Sequence, residues 1–331
     1  MPFKARLKSG EERKRRKPSY RVANASEYKK SLKNRGRISL YFPSGDLRSQ
    51  FINDSSYVPG VSGRSAYYQP SYIQLIYTFY RLFGWGMRQI TGYMEDYWER
   101  LKLDIPVPSF GHLSDLFSQL KVDIKQRCKR LAKQLASGQP VNLIIDSTGV
   151  SFGRASQWYE VKYGKKASRV PWRKAHLAMD ELMNIHKLVI TDTEVSDHEA
   201  MDRVVPTDVA VDRIVADGAY YSIERVQDLN ERGILPVIPP PAHAVVHDKE
   251  NTQVHDELVR YIQDKGIYAF HKKYGYGVRS LVESQISRIK RCIGPNLLTQ
   301  KIESQENEGV IIANLINHWN SLGRPVCVKN G

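Results

Sequence analysis

The sequence predicts an α/β protein in which a mixed sheet flanked by helices follows a small all-α region and a basic N-terminal arm. Three observations support this class. Beyond residue 137, short apolar runs alternate with helical patterns, as in sheets covered by helices. Between residues 72 and 120, apolar residues recur at three- and four-residue spacing. The first 37 residues hold 14 Lys or Arg against three Glu, so +11 of the formal net charge of +15 lies there.

Residues 1–65 are polar and rich in Ser, Gly and Arg, and we interpret them as a basic DNA-binding arm and linker. Cationic side chains in such an arm neutralise phosphates and release counterions, which gives salt-sensitive binding that is independent of base sequence. A solvated tail, or a segment attracted to acidic membranes, is the alternative. The densest basic run supplies the candidate DNA contacts Arg13, Lys14, Arg15, Arg16 and Lys17.

Length and composition exclude several classes of protein. With 331 residues, of which 41% are apolar, the chain can bury more than one core and is not globally disordered. It has no run of 18 apolar residues and no apolar signal-peptide core, so we expect a cytoplasmic protein. The cysteines Cys128, Cys292 and Cys327 form no C-x2-C pair, which argues against a disulfide framework and a zinc ribbon.

Residues 66–136 are predicted to be helical. Apolar spacing in SYIQLIYTFYRLF and MRQITGYMEDYWERL predicts two helices separated by GWG, and Ser109 is placed to cap a third. A Lys/Arg-rich helix is expected near residues 121–136. Short helices with tight connections suit a helix-turn-helix-like DNA-binding unit, and a bundle that only supports the next region is an equally good interpretation.

Residues 137–331 are predicted to form the mixed sheet. An apolar strand in VNLIID ends at Asp146, two strands flank a turn at residues 181–184, and the strand RIVADG ends at Asp217. Helices are expected near residues 198–205 and 222–232, followed by the strand ILPVIPP. An insertion is expected at about residues 240–275, which contain PPP and four His.

The helix expected after this insertion carries the most specific pattern of the chain. In YGYGVRSLVESQISRIKR, four residues, Tyr276, Arg279, Glu283 and Lys290, follow the spacing Y-x2-R-x3-E-x6-K. At about 100° per residue they fall within a stripe roughly 60° wide. The carboxylate therefore lies between cationic side chains, beside an apolar flank that can face a core. For Arg279, an ion pair with Glu283 is the alternative to a binding role.

Asp146, Asp217 and Glu283 form a candidate metal site. Active sites of open α/β sheets gather at the carboxyl ends of strands, where the two Asp are expected. Three converging carboxylates repel one another unless cations neutralise them, and hard divalent ions prefer oxygen ligands. Two Mg2+ would activate an attacking oxygen and stabilise the leaving oxygen of a phosphodiester. A single Asp at a strand end is more often a cap or turn residue, so the prediction depends on all three.

These motifs resemble those of the DDE transposases of bacterial insertion sequences. The resemblance rests on Asp146 in IIDSTG, Asp217 in ADGAYYS and the Y-R-E-K spacing, with support from NASEYKKSLKNRGRISLYF, YTFYRLFGWGMRQITGYM, VPSFGHLS, WRKAHLAMD and IPPP. The branch that they resemble is insertion-sequence family five, in the group around the kanamycin transposon element. The resemblance implies a ribonuclease H-like catalytic domain at residues 137–331, in which Asp146, Asp217 and Glu283 bind Mg2+, for which Mn2+ substitutes.

The resemblance also implies a function. Such an enzyme binds the terminal inverted repeats of its element, cleaves DNA at the element ends and joins the 3′-hydroxyls to target DNA. We expect a nucleoid-associated homodimer or larger synaptic complex. A related nuclease without strand transfer and a catalytically silent DNA-binding regulator are the alternatives. A tyrosine recombinase is excluded, since none of the nine His begins an H-x2-R element.

Basic and aromatic residues near the acids are the candidate DNA contacts. Arg279 and Lys290 are expected to contact phosphates, and Tyr276 to position the DNA backbone. Trp172 is expected either to stack on a base or to pack in the core. A basic loop before the second strand supplies further contacts, namely Lys165, Lys166, Arg169, Arg173 and Lys174, and His176 lies in the same segment.

Other acidic and imidazole side chains are interpreted as structural. Asp180 and Asp197 lie at a predicted turn and a predicted strand end. Four histidines, His243, His247, His255 and His271, have irregular spacing and no Cys partners, so we interpret them as loop residues rather than a zinc site.

Overall fold

The computed structural model describes residues 19–54, 67–153 and 171–330. The chain divides into two compact units, one drawn from residues 1–40 and 322–331 and the other from residues 41–321. Among the described residues, no helix combines the length and the apolar character that crossing a membrane requires.

The first unit contains a small antiparallel sheet and a helix. Strand β1 (Tyr20–Val22) pairs with β8 (Cys327–Lys329), and helix α1 spans Ala25–Arg35. The sequence predicted an arm and linker throughout residues 1–65, yet the part of this range that the structure describes contains a strand and helices. The strand partner comes from the other end of the chain, which a local pattern does not reveal. The predicted contacts at residues 13–17 lie outside the described residues.

The second unit begins with helices. Helix α2 (Leu47–Phe51) precedes α3 (Pro70–Phe83), α4 (Met87–Leu101) and α5 (Phe110–Gln119). The Oγ of Ser109 accepts a hydrogen bond from the backbone N–H of His112 at 3.4 Å, so the predicted cap of α5 is confirmed. The facing sides of these helices bury an aromatic core that includes Phe51, Tyr72, Phe79 and Trp98.

The helix predicted over residues 121–136 is wrong in its first half. Helix α6 covers only Lys129–Ala136, and residues 121–128 alternate between exposed and partly buried positions. A period of two belongs to extended chain. The N–H of Lys125 donates to Asn314 Oδ1 at 2.7 Å, and Gln126 Nε2 donates to Ile185 O at 2.9 Å. Contacts with distant residues therefore hold this segment extended.

A six-stranded mixed sheet follows, in the order β4-β3-β2-β5-β6, with β7 paired to the end of β2. Strands β2, β3 and β4 are antiparallel neighbours, whereas β5 and β7 run parallel to β2, and β6 runs parallel to β5. This topology is consistent with the predicted ribonuclease H-like fold. The strands are β2 (Val141–Phe152), β3 (Trp172–Asp180), β4 (Ile185–Thr191), β5 (Val211–Val215), β6 (Leu235–Val237) and β7 (Asn296–Leu297).

Strand β2 continues past Asp146, where the sequence predicted its end. Strand β3 pairs with it from Leu143 to Ser151, and this long partner keeps the polar half of β2 in the sheet. Side chains alternate between faces, so Asp146 and Thr148 share one face and Ser147 lies on the other. Asp146 is therefore inside a strand. Asp217 follows the end of β5, close to its predicted place.

Helices cover both faces of the sheet. On one face, Leu143 and Ile145 share a core with α7 (Asp197–Val204) and α8 (Ile223–Glu231). On the other face lie α11 (Ser280–Cys292) and α12 (Ile302–Leu322). An apolar cavity of about 30 Å³ remains between this second pair of helices and the sheet, bordered among others by Leu177, Leu188, Ile286, Ile289 and Ile312.

The predicted insertion contains two helices, α9 (Gln253–Lys265) and α10 (Ile267–Lys273). Leu258 of α9 and Phe270 of α10 form a buried cluster with Val215 and Val237, which lie in β5 and β6. The two helices thus pack on β5 and β6, beside the segment that carries Asp217.

Candidate active site

Three different elements supply the acids that the sequence singled out. Asp146 projects from the middle of β2. Asp217 caps a 3₁₀ turn at Gly218–Tyr220, where its Oδ1 accepts a hydrogen bond from the N–H of Ala219 at 2.9 Å. Glu283 lies in the first turn of α11, and its side chain is 58% exposed.

Arg279 links two of these acids. Its Nη1 is 3.1 Å from Asp146 Oδ2, and its Nη2 is 2.7 Å from Glu283 Oε1. The ion pair with Glu283 that the sequence offered as an alternative is therefore present, and Asp146 shares the same guanidinium. Because β2 and α11 meet at this residue, Arg279 joins the strand to the helix.

The Asp146 carboxyl has a raised pKa, and burial is the main cause. The negative charges of Asp217 and Glu283 raise the pKa further, whereas the N–H of Ser147, at 2.9 Å, and the charge of Arg279 lower it. The charges of Asp217 and Glu283 therefore act on the Asp146 carboxyl. A single guanidinium bridges two of the three acids, and the remaining negative charge favours the binding of a further cation.

Within the described ranges, no group of three or more His, Cys, Asp and Glu side chains lies close enough together to hold a metal ion. The donor chemistry at Asp146 nevertheless fits a hard divalent cation, since carboxylate oxygens are the preferred ligands and the local charge is negative. The side chains are arranged around Arg279, which supplies the positive charge between Asp146 and Glu283.

The predicted stripe is divided between two elements. Tyr276 and Arg279 lie in a 3₁₀ turn, and α11 begins only at Ser280. The Tyr276 ring stacks on His271 of α10 with 4.6 Å between ring centroids, and burial raises the pKa of its hydroxyl. At the other end, Lys290 Nζ donates to Thr148 Oγ1 at 2.7 Å and to Gly149 O at 3.0 Å. Lys290 thus holds α11 against β2.

The predicted basic loop before the second strand is in part strand. Trp172, Arg173 and Lys174 lie in β3, and of these Trp172 is 41% exposed. Arg173 pairs with Asp192 and donates to Gln305 Oε1 at 2.9 Å. Lys174 Nζ donates to Val195 O at 2.7 Å. The remaining residues of that loop, Lys165, Lys166 and Arg169, lie outside the described residues.

His176 follows the basic residues of this segment in the sequence, but it does not share their exposure. Its side chain is fully buried in β3. The alternation of side chains along β3 turns it into the core.

Comparison with known protein families agrees with this geometry. The profile of a family described as "Transposase DDE domain" matches residues 137–317, which is more than half of the chain and includes Asp146, Asp217 and Glu283. A second family profile with the same description matches residues 33–154. The chain belongs to the DDE transposases. The family-level resemblance noted from the motifs is thereby confirmed.

Sequence reasoning missed a polar network of this transposase beneath the acids. Ser147, the neighbour of Asp146, donates its hydroxyl to Asp197 Oδ2 at 3.0 Å. Tyr220, three residues after Asp217, shares a hydrogen bond of 3.2 Å with His176 Nδ1, and that nitrogen is 3.7 Å from Asp197 Oδ1. Asp197, interpreted from sequence only as a structural acid, thus connects the segments that carry two of the three acids. Ser147 follows Asp146 directly and Tyr220 comes three residues after Asp217, and this closeness in sequence was the one sign of the network that the sequence offered.

A second contact of this transposase, which the sequence did not reveal, joins the insertion at residues 240–275 to the segment that follows Asp217. The hydroxyl of Tyr221 and Nδ1 of His255 are 2.6 Å apart, and His255 Nε2 is 2.9 Å from Val245 O. His255 is therefore a buried structural residue of α9 and not the solvated loop residue that the sequence suggested.

An open groove of about 610 Å³ lies beside the acids. One wall is β2 at residues 146–148, and the other is the face of α11 that carries Glu283, Ser287, Lys290 and Arg291. We name it the α11 groove. The carboxylates of Asp146 and Glu283 lie at one end, and the cationic residues of α11 lie at the other.

Proposed function

We propose that this transposase binds the terminal inverted repeats of an insertion sequence, cleaves DNA at the element ends and joins the resulting 3′-hydroxyls to target DNA. The observation that carries the proposal is the Arg279 guanidinium, which pairs with both Asp146 and Glu283 and so brings β2 and α11 together beside the segment of Asp217. The motif resemblance supports placing the element in insertion-sequence family five.

Asp146, Asp217 and Glu283 are the proposed catalytic residues and the proposed ligands of two Mg2+ ions, for which Mn2+ would substitute. When bound, such ions activate the attacking oxygen and stabilise the leaving oxygen of a phosphodiester. The chain prepares the site in two ways. Burial and the charges of Asp217 and Glu283 raise the pKa of Asp146, so a cation beside it would stabilise its ionised form. The N–H of Ala219 fixes the carboxylate of Asp217.

Arg279 is the proposed phosphate contact nearest to the acids. Its guanidinium already lies beside Asp146 and Glu283, so a phosphate held by these residues would be within its reach. Arg binds phosphate through paired, charge-assisted hydrogen bonds. Tyr276, whose ring is fixed on His271, is proposed to position the DNA backbone.

Further DNA contacts are proposed outside the immediate surroundings of the acids. They comprise the arm within residues 1–65, the helix-turn-helix-like region 66–136, the predicted loop residues Lys165, Lys166 and Arg169, and Trp172 at the start of β3. Trp172 has an exposed ring, which suits base stacking. Arg173 and Lys174 would have to release Asp192 and Val195 before they could bind phosphate. A homodimer or larger complex on the nucleoid is proposed because two element ends must be processed together.

The test replaces each acid by its isosteric amide. We expect Asp146→Asn, Asp217→Asn and Glu283→Gln each to lower cleavage of an element-end duplex by at least about 10³-fold, with binding unchanged in a gel-shift assay. Asp228→Asn, which removes an exposed acid of α8 paired with Arg232, is the matched control and should cleave normally. Full activity of any one of the three acid variants would overturn the assignment.

A strand-joining assay with a labelled target duplex separates the functional alternatives. Cleavage and joining together support the transposition reaction. Cleavage without joining would favour a nuclease, and binding without either reaction would favour a DNA-binding regulator.

A further inference from the structure

We infer that Asp197 and His176 are positioning residues for the proposed catalytic acids. From the face of the sheet opposite to α11, they hold the strand that carries Asp146 and the turn that follows Asp217 at a fixed separation. This inference rests on the proposed function, because the separation affects the reaction only if the two acids act together.

The hydrogen-bond ladder of the sheet stops short of both acids. The register between β2 and β5 ends with the pair Ile144 and Val215. Asp146 and Asp217 each lie two residues beyond this pair. Ladder bonds between β2 and β5 therefore do not align the two residues, and their separation depends on other contacts.

Ser147 ties β2 to helix α7. Because side chains alternate along a strand, Ser147 lies on the face of β2 opposite to Asp146. There its hydroxyl donates to Asp197 Oδ2 at 3.0 Å. Asp197 is the first residue of α7, and its Oδ1 is 3.6 Å from Lys174 Nζ in β3. The Asp197 carboxylate thus joins the first turn of α7 to two neighbouring strands.

His176 ties the turn after Asp217 to the middle of the sheet. The Thr191 hydroxyl donates to Asp192 O at 3.2 Å, so its oxygen accepts from His176 Nε2 at 3.1 Å. Burial lowers the pKa of His176 to about 4, so the ring is neutral at pH 7 and Nδ1 carries no proton. Nδ1 therefore accepts from the Tyr220 hydroxyl at 3.2 Å. Each of these bonds has one donor and one acceptor.

The two parts of the network meet beneath the acids. Ser147 and His176 are directly opposite each other in the ladder between β2 and β3, so their side chains share one face. Burial raises the pKa of the Tyr220 hydroxyl, the charge of Asp197 raises it further, and a hydrogen bond with the Ser147 side chain lowers it. These groups are therefore neighbours. Because a buried polar group that loses its partner costs free energy, the network resists a shift of one segment against the other.

Two buried tyrosines provide the matched pair for the test. Tyr220→Phe removes the hydroxyl that bonds to His176, and Tyr77→Phe removes a hydroxyl of α3 that donates to Ser304 O at 2.6 Å. Both side chains are fully buried, so a loss of stability alone would affect the two variants alike. We expect Tyr220→Phe to lower the rate of cleavage at saturating element-end duplex by about 10- to 100-fold, since misplacing reacting groups by about 1 Å has an effect of this order. Its DNA affinity in a gel-shift assay should not change, and Tyr77→Phe should match the wild type in both measurements.

Substitutions of Asp197 test the carboxylate itself. The amide oxygen of Asn still accepts from Ser147, so Asp197→Asn should keep more of the cleavage rate than Asp197→Ala does. Ser147→Ala combined with Tyr220→Phe should lower the rate by less than the product of the two single effects, because both substitutions open the same network. Equal cleavage rates for Tyr220→Phe and Tyr77→Phe would overturn the inference, as would independent effects of Ser147→Ala and Tyr220→Phe.

Hydrogen exchange tests the network apart from the reaction. The full-length chain is measured in EDTA without DNA. Tyr220→Phe should speed exchange of the amides at residues 146–148 and 218–221, and Tyr77→Phe should not. Wild-type exchange of both segments in Tyr220→Phe would overturn the inference even where cleavage requires the three acids. Cleavage that survives substitution of those acids would instead overturn the proposed reaction, while the exchange rates would still show whether the network holds the two segments together.

Discussion

His176 lies beneath the segments that carry Asp146 and Asp217, and both of its ring nitrogens are hydrogen-bonded. Nδ1 meets the hydroxyl of Tyr220 at 3.2 Å, and Nε2 meets Thr191 Oγ1 at 3.1 Å. Burial lowers the pKa of this imidazole to about 4, from an ordinary value of 6.5. Between these two pH values the unfolded chain binds a proton that the folded chain does not, so folding stability falls as the pH is lowered.

We therefore predict an acid-sensitive fold. The free energy of unfolding should fall by up to about 3 kcal/mol between pH 6.5 and pH 4 through His176 alone. Urea denaturation at a series of pH values measures it, and His176→Gln should have a shallower dependence. Burial also lowers the pKa of His318 to about 4, so His176→Gln should keep part of the dependence of stability on pH. The exposed His243 supplies the control His243→Gln, which should follow the wild type. Equal slopes for His176→Gln and wild type would contradict the prediction.

At the scale of elements, a buried ion pair joins helix α3 to helix α12. Arg81 Nη1 is 3.3 Å from Glu308 Oε1, and the two side chains are 2% and 0% exposed. Glu308 also accepts hydrogen bonds from the N–H groups of Leu298 and Thr299 and from the Thr299 hydroxyl. Burial raises the pKa of Glu308, and the charge of Arg81 opposes this effect. The charge of Arg81 and these hydrogen bonds thus favour the ionised form of the carboxyl against the effect of burial.

For this pair we predict that a single substitution destabilises the fold more than the double substitution does. Arg81→Met leaves a buried carboxylate without its cation and should lower the free energy of unfolding by about 3–5 kcal/mol. Combining it with Glu308→Gln removes the uncompensated charge and should recover part of the loss. Arg232→Met, which breaks an exposed pair on α8, should change stability by less than about 1 kcal/mol. Strict additivity of the two buried substitutions in chemical denaturation would argue against a coupled pair.

The elements that the sequence predicted well are those with local patterns. Helices α3, α4 and α5, strands β3 and β4, and the Glu283 helix follow from apolar spacing, and the three acids follow from short motifs. Elements defined by distant partners were missed. Strand β1 depends on β8, the extended segment at residues 121–128 depends on Asn314 and Ile185, and Arg81 gave no sign of Glu308 far along the chain.

The same division applies to the site. Asp146, Asp217, Arg279 and Glu283 could be singled out from the sequence as candidates for the site, because each lies in a recognisable motif. The hydrogen bonds of Lys290 could not, since its partners Thr148 and Gly149 are more than a hundred residues away. Lys290 and Arg291 are adjacent in sequence, and only the folded structure shows that the Lys290 amine donates hydrogen bonds to β2.

At the scale of the whole molecule, charge is concentrated at one end of the sequence. Residues 1–37 carry +11 of the net +15, but residues 20–35 belong to β1 and α1. Deleting residues 2–37 would remove the strand that pairs with β8, so a loss of binding would not isolate the effect of charge. Deleting residues 2–18 removes eight Lys or Arg and two Glu and leaves β1 in place.

We predict that this shorter deletion lowers DNA affinity and the salt dependence of binding. The slope of log affinity against log salt should fall by up to about 0.9 for each phosphate that the arm no longer neutralises. It should fall by roughly 7 if all eight cations bind duplex DNA. Fluorescence anisotropy over a salt series measures it, with an unchanged unfolding temperature as the control for folding. An unchanged slope would show that residues 2–18 do not bind DNA phosphates.

The contribution of the arm to DNA binding can be separated from any contribution to catalysis. Because each phosphate that the arm neutralises adds up to about 0.9 to the slope, we expect the arm to supply a large share of the salt-dependent affinity. The arm deletion should therefore weaken binding to every duplex alike, and cleavage at saturating DNA should persist because the acids and the groove are intact. Loss of cleavage at saturation would instead mean that the first 18 residues place DNA in the active site.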